Sequence, residues 1–403
     1  MMRAPTLTLV PLVIFAGALI PAFASCAEAE DTRPGEDDAS VSIPEAGSDA
    51  ESPLDAGSDG GCEPSDEGCV SEVISCDEAD WCPVPTHVST RFLLKGVWGS
   101  GPNDVWAVGS GGTIIHWDGK DWTSTPTGSM NTFHAVWGTG PTDVWAVSMT
   151  DTIVHTTGFA NGSAEWKQVP GATDAANAMV AYSLWGTSAG DVRIGARARY
   201  TFDPDLGDVW INQFVLTGDK DGKVAWSPRE GTSNVHGFFG SANDLWLVAD
   251  NSERNGWEKG QTLHGVLDRG DLAWSAVDSQ STLLLEGIWG SSADDIWAVG
   301  DQGTLRRMKK GMKRWEIVAS PTKEALHAVW GTAADDVWAV GDTGTILHFD
   351  GAAWKAATAA FGLGKKPDLH GVWGSSKNDV WIVGDSVSLH YTGPKPASQG
   401  GGQ

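Results

Sequence analysis

Gly96–Trp122 reads GVWGSGPNDVWAVGSGGTIIHWDGKDW, and Ala328–Trp354 reads AVWGTAADDVWAVGDTGTILHFDGAAW. Two near copies far apart in one chain make the period the first thing to establish. Between Trp81 and Thr392 the unit recurs about every 40 to 50 residues. It begins with a short apolar stretch ending in an aromatic-Gly anchor: Trp98, Trp137, Trp185, Phe239, Trp289, Trp330 and Trp373. A second segment, typified by DVWAVG, carries Trp106, Trp145, Trp246, Trp297, Trp338 and Trp381, with Arg193 standing where the seventh Trp is expected. A third, GTIIHW or GTILHF, follows a Gly-containing turn, and a fourth carries Trp122, Trp166, Trp226, Trp274, Trp315 and Trp354.

Uninterrupted VWAV runs, rich in β-branched and aromatic residues, read as strands buried on both faces. Asp118-Gly119 and Asp350-Gly351 are expected to supply type I′ hairpin turns into the fourth strand. Four antiparallel strands per unit form a twisted sheet, and a sheet apolar on both sides must lie between like neighbours. Radial stacking meets this need, so the expected fold is all-β, a seven-bladed β-propeller. The last unit stops after its third strand, SLHYTG, while Trp81 lies upstream with no unit of its own. The N-terminal strand is therefore expected to complete the last blade beside His390.

The flanks set the context. Arg3 followed by LTLVPLVIFAGALIPAFA predicts a signal peptide over residues 1–26. FASC, ending at Cys26, resembles a bacterial lipobox, with ordinary cleavage after AFA as the alternative. Residues 27–61 read as a disordered acidic linker, and 62–82 as a Cys-rich segment leading into the first strand. The propeller is placed at 81–393 and a disordered tail at 394–403. From Ala27 to Asp80 there are 18 Asp or Glu and one Arg, about −17 of the net −25, which predicts a self-repelling tether. So negative a chain excludes nucleic acid as a natural partner. Five cysteines are odd; setting Cys26 aside for a lipid leaves Cys62, Cys69, Cys76 and Cys82 for two disulfides of undetermined connectivity. The expected location is the cell envelope, as an outer-membrane or surface lipoprotein touching the membrane only through that anchor; periplasmic or secreted soluble forms are the alternative.

At DVWAVGDTGTILHFDG the chain resembles the repeats of Asp-box (BNR) propellers, photosystem II assembly factor-like propellers and the sensor propellers of two-component regulators. The Asp-box turn itself is degenerate: HWDGKDW keeps Asp118, Gly119 and Trp122 but lacks the Ser and the spacing. The resemblance implies a binding or assembly platform and licenses no reaction.

Nine of ten His fall at two repeat positions. His134, His236, His327 and His370 enter the first strand, where Lys95, Tyr182 and Glu286 fill the remaining units; His116, His155, His264, His348 and His390 lie on the third. The preferred reading is that they satisfy backbone polar groups at strand ends, the alternative being a ring of metal or anion ligands around the axis. The recurring Asp104, Asp143, Asp191, Asp244, Asp295, Asp336 and Asp379 read as turn residues bonding their own backbone. No metal or cofactor is expected; DPDLGD lacks the spacing of a calcium loop.

Departures from the repeat carry more weight for function. RARYTFDPDLGD and NSERNGWEKG swell units three and four between their second and third strands, on one side of the disc. Arg197, Arg199, Tyr200, Asp203, Asp205, Trp210, Arg254 and Trp257 are the candidate ligand-binding residues, against the alternative of partnerless surface insertions. The expected function is a non-catalytic binding or assembly module for an envelope or extracellular protein or glycan, acting as a monomer. The alternative is a sialidase-like glycoside hydrolase, for which Arg193, Arg197 and Arg199 crowd too closely into one unit to form the required triad.

Overall fold

The computed structural model describes residues 68–150, 152–172, 179–203, 207–218, 223–250 and 260–395. The expected signal peptide, lipobox Cys26, acidic linker, Cys62 and residues 396–403 lie outside them. Seven four-stranded antiparallel sheets follow one another in chain order. Blade 1 runs Leu94–Gly101, Asp104–Gly109, Ile114–Trp117 and Trp122–Ser124. Blades 2 to 7 begin at Phe133, Ala181, Asn234, Leu285, Leu326 and Leu369. Each first strand packs against the first strands of both neighbouring blades, blade 7 against blade 1 included, so the ring is closed around an axis.

The DVWAVG strands are buried from Val to Gly, as a strand sandwiched between two sheets must be. Their side chains feed seven apolar clusters, one at each blade interface. At six of these, the second-strand Trp of one blade meets the fourth-strand Trp of the next edge-on. The pairs are Trp106–Trp166, Trp145–Trp226, Trp246–Trp315, Trp297–Trp354, Trp338–Trp81 and Trp381–Trp122, with ring centroids 5.0 to 6.1 Å apart. Such geometry sets the positive ring edge against the negative face. The anchors interlock in the same sense. Trp98 lies over Gly138 so closely that a β-carbon there would stand 2.7 Å from the ring, and Trp373 covers Gly99 in the same way. In six of the seven anchors the Gly is thus the seat for the previous blade's aromatic ring, Gly240 of blade 4 being the exception.

Closure is as expected from the truncated last unit. Cys82–Pro83 pairs with the third strand of blade 7, Cys82 opposite His390 and Pro83 opposite Leu389. Trp81 occupies the fourth-strand Trp slot, fully buried between Trp338 and Tyr391. Its backbone joins blade 6, donating to Thr358 O and accepting from Ala360 N, both at 3.0 Å. Upstream, Cys69–Val70 pairs with Gly364–Lys365.

Two local expectations are corrected. The Asp-Gly turns are not two-residue type I′ turns: Trp117 pairs with Trp122 and Phe349 with Trp354, leaving four-residue loops. In each, the Asp carboxylate accepts two backbone N–H groups, Asp118 from Lys120 and Asp121, and Asp350 from Ala352 and Ala353. Capture of those amides by the side chain favours the wider loop. Among the cysteines, Cys69 is disulfide-bonded, but Cys76 and Cys82 carry free thiols, so the expected second bridge between described cysteines is not formed. The Cys82 thiol lies 3.5 Å from the Cys76 carbonyl oxygen, and burial, followed by the neighbouring Cys76, pushes it up to about 11.

Candidate functional site

The two ends of the disc use their polar residues differently. At the end carrying the turns between first and second strands, the recurring Asp is not a backbone turn-former but the hub of a side-chain network. Asp104 accepts from Trp106 Nε1 at 3.1 Å and from Ser100 Oγ at 2.5 Å, and meets His116 Nε2 at 2.7 Å. Asp143 repeats this with Trp145, Thr139 and His155. Asp244, Asp336 and Asp379 hold His264, His348 and His390 at 2.6 to 2.8 Å. The third-strand His therefore bonds an Asp rather than backbone, and stacks on the Trp directly across the ladder, as His390 does on Trp381 at 4.0 Å. Burial alone would raise the carboxyls of Asp104, Asp336 and Asp379, but the bonds from His and from Ser or Thr hold them below the usual range.

Two blades write the network in other residues. In blade 5, Arg307 replaces His, pairing Asp295 through two 2.7 Å bonds and lying 4.6 Å over the Trp297 ring. In blade 3, Arg193 stands in the Trp position and pairs Asp191 at 3.0 Å. Both arginines are consumed by the scaffold.

At the opposite end, one residue near the start of every first strand converges on the axis, the second residue in six blades and the third, His236, in blade 4. Lys95, His134, Tyr182, His236, Glu286, His327 and His370 line one cavity of about 380 Å³, rimmed by Met149 and Leu284. The first-strand His are thus channel residues, the arrangement weighed as the alternative above. No group of three or more His, Cys, Asp or Glu among the described residues could hold a metal ion. On one wall, His327 bridges Glu286 at 2.7 Å and Asp342 at 2.6 Å. Burial opposes its charge, but the two carboxylates prevail and hold it up to about 9. His236 bonds Asp250 at 2.5 Å and stacks on Tyr182. On the other wall, His370 meets Asp385 at 2.9 Å and Lys95 at 3.3 Å. His134 has both ring nitrogens buried without a partner, and desolvation, with the charge of Lys95 next, lowers it to about 4.

A second cavity, of about 430 Å³, opens between blades 3 and 4, the one interface without an edge-on Trp pair. With Arg193 in place of Trp, Trp274 of blade 4 has no second-strand ring to meet. The cleft it lines also takes in Trp210, Asn212, Gln213, Leu247 and Leu263. Gln213 is only 2% exposed and its side-chain oxygen has no hydrogen-bond partner. An adjoining cavity of about 700 Å³ over blade 4 and the loop that follows it shares Thr232, Ser233 and Leu263.

Of the sequence candidates, Tyr200 and Trp210 face each other across the hairpin formed by Asp191–Asp203 and Gly207–Gly218, with rings 5.7 Å apart. Arg197 is exposed and Arg199 half-buried on the same strand, and Trp210 alone lines the cleft. Asp203 contributes its backbone to the hairpin, pairing with Gly207. Its side chain, with Asp205, Arg254 and Trp257, lies outside the described residues. Sequence reasoning missed Asn212 and Gln213, although the Arg193 irregularity pointed to their interface.

No protein-family model matches the chain, and no curated protein matches it. Among solved structures it is similar to YCF48 bound to a D1 peptide, with a TM-score of 0.59 and 16% identity over 80% of this chain and all of that one. It is also similar to YCF48 from Cyanidioschyzon merolae, at 0.57 and 14% over 77% of this chain and 98% of that one. The WD40 propeller domain of Doa1 follows at 0.53 and 10%, over 77% and 96%. At such identities the likeness establishes the β-propeller fold.

Proposed function

We propose that this chain is a non-catalytic docking platform that holds an extended segment of a partner protein in the blade 3–4 cleft. The observation carrying this reading is the buried, unpartnered oxygen of Gln213 beside an apolar floor of Trp210, Trp274, Leu247 and Leu263. A buried amide acceptor left unpaired costs about 1–3 kcal/mol, which a backbone N–H of an incoming strand would recover. The adjoining cavity over blade 4 lengthens the groove to suit an extended chain rather than a compact ligand. The solved complex of YCF48 with a D1 peptide is a precedent for peptide capture on this fold. Display at the bacterial envelope through a lipid on Cys26 completes the proposal, supported by the apolar run and FASC before the acidic tether.

Selection of linear peptides from a random phage library against the full chain tests the docking reading. Enriched peptides should lose at least tenfold in affinity with Gln213→Leu and with Trp210→Ala. Equal binding by both variants would overturn it, and release of reducing sugar from sialosides would favour the hydrolase instead. Mass spectrometry of the mature N-terminus tests the anchor, which an unmodified Ala27 or Ser25 terminus would refute.

A further inference from the structure

The acids of the axial cavity are engaged within the fold. Asp385 is taken by His370, Asp250 by His236 and Asn234, and Glu286 and Asp342 by His327. The donors are not. Among the described residues, Lys95 forms no ion pair, and its ammonium touches only the His370 ring, at 3.3 and 3.5 Å. His134, on the next first strand, offers a ring with no partner at either nitrogen. A half-buried lysine with no carboxylate in contact, its charge reaching Glu286 only at a distance, is unusual in a chain of net charge −25, where carboxylates are abundant. We infer that this wall of the cavity is a binding site for a small carboxylate, received by the Lys95 ammonium and a ring N–H of His134.

The surroundings select the class of anion. One full positive charge and one neutral imidazole donor suit a monoanion, since Glu286 in the cavity wall, with Asp342 behind His327, repels a second negative charge. The neutral state of His134 follows from its lowered pKa. Met149 and Leu284 on the rim offer apolar surface to a short aliphatic chain, and about 380 Å³ accommodates one. A free short-chain acid and the C-terminus of a peptide share this chemistry. The site is separate from the blade 3–4 cleft, so the two readings stand or fall independently.

The test is a titration of ¹⁵N-histidine-labelled full-length chain with sodium butyrate, followed through the ring resonances of His134 and His370, with His134→Gln for assignment. Saturable shifts with a Kd on the order of millimolar are expected, and none with butyramide or butylammonium. Lys95→Met should weaken butyrate at least tenfold, while Lys95→Arg should retain it, and thermal melts of both variants control for folding. A parallel titration with Ala-Leu-Leu as free acid and as amide identifies the source, tighter binding of the tripeptide acid marking a chain terminus and tighter butyrate a free acid. Absence of saturable shifts for either acid in the folded wild-type chain would overturn the inference, as would unchanged affinity in a folded Lys95→Met. Gln213→Leu should leave butyrate binding unaltered, which separates failure here from failure of the docking reading.

Discussion

Replacing Trp81 with Ala tests how the ring is closed. Trp81 is fully buried, edge-on to Trp338 at 5.0 Å and tilted on Tyr391 at 5.4 Å. Truncating such a ring costs about 3–5 kcal/mol. For a fold of roughly 300 residues, at about 2.1 cal/mol/K each, this lowers Tm by about 5–8 °C. Trp315→Ala is the matched control, since Trp315 is 1% exposed and meets Trp246 edge-on at 5.7 Å. The two should lose similar global stability by urea titration but differ in where they open. Trp315 belongs to a blade whose four strands are continuous in sequence, whereas the segment after Trp81 holds blade 7 through the short Cys82 and Pro83 ladder and the Val84–Ser388 bonds that follow it, with no chain connection to the strand it completes. Hydrogen exchange should therefore quicken selectively at Val387–Tyr391 in Trp81→Ala and not in Trp315→Ala. Equal protection of that strand in both variants would refute the claim that the clasp is the local weak point.

Two further predictions follow from the two unusual blade features. The axial ring should bound stability in pH from both sides. His134 falls to about 4 in the fold, so its contribution drains as pH drops from about 6.5 toward 4; His327, raised to about 9, contributes below about 6.5 and loses it as pH rises through 9. The facing charges are Lys95, His236, Glu286 and His370 with Asp250, Asp342 and Asp385, and urea midpoints at pH 4.5, 6.5 and 8.5 should peak in the middle, with His134→Leu flattening the acid limb. Arg193→Trp should restore the seventh edge-on pair against Trp274, raising stability by about 0.5–1.5 kcal/mol while abolishing peptide capture at the cleft; a variant that is stabilised yet binds selected peptides undiminished would show that the missing ring does not open the site.

The architecture could be read from the sequence because it is written seven times. At six of the seven interfaces the anchor Gly has a neighbouring blade's ring to seat and the second-strand Trp has a fourth-strand ring to meet, so the pattern is fixed by packing that recurs around the ring. Even the closure followed from counting, because a missing fourth strand leaves Trp338 and Tyr391 without cover. What could not be read was direction. Both sets of His recur with equal regularity, and periodicity does not say that one side chain turns to the axis while the other folds onto an Asp of its own blade. That difference comes from strand position: the channel residue near the start of the innermost strand faces six equivalents across the channel, whereas the third-strand residue faces a Trp across the ladder. The Asp network was missed for a related reason, since a carboxylate ahead of a strand has the same sequence signature whether it bonds its own backbone or a side chain on the next strand.

Regularity and irregularity therefore carry different information, and blade 3 shows how they combine. A propeller interface tolerates the loss of one aromatic pair because six others and the ring closure hold the disc; each pair is worth about 0.5–1.5 kcal/mol beyond its area. Arg193 keeps the Asp191 contact that the network requires while surrendering the ring that the interface would otherwise bury. The surrendered volume adjoins the extended hairpin and places Gln213 where its oxygen is shielded from water yet unsatisfied. A drift with no purpose would be expected to fill such a gap or expose it; a gap kept apolar on its floor, with one acceptor poised above, has the composition of a binding site. The same logic sets the axial cavity apart from the Asp–His network: where every polar group meets its partner the residues serve the fold, whereas Lys95 touches only the His370 ring and His134 meets nothing, which is the spare capacity a bound carboxylate would use.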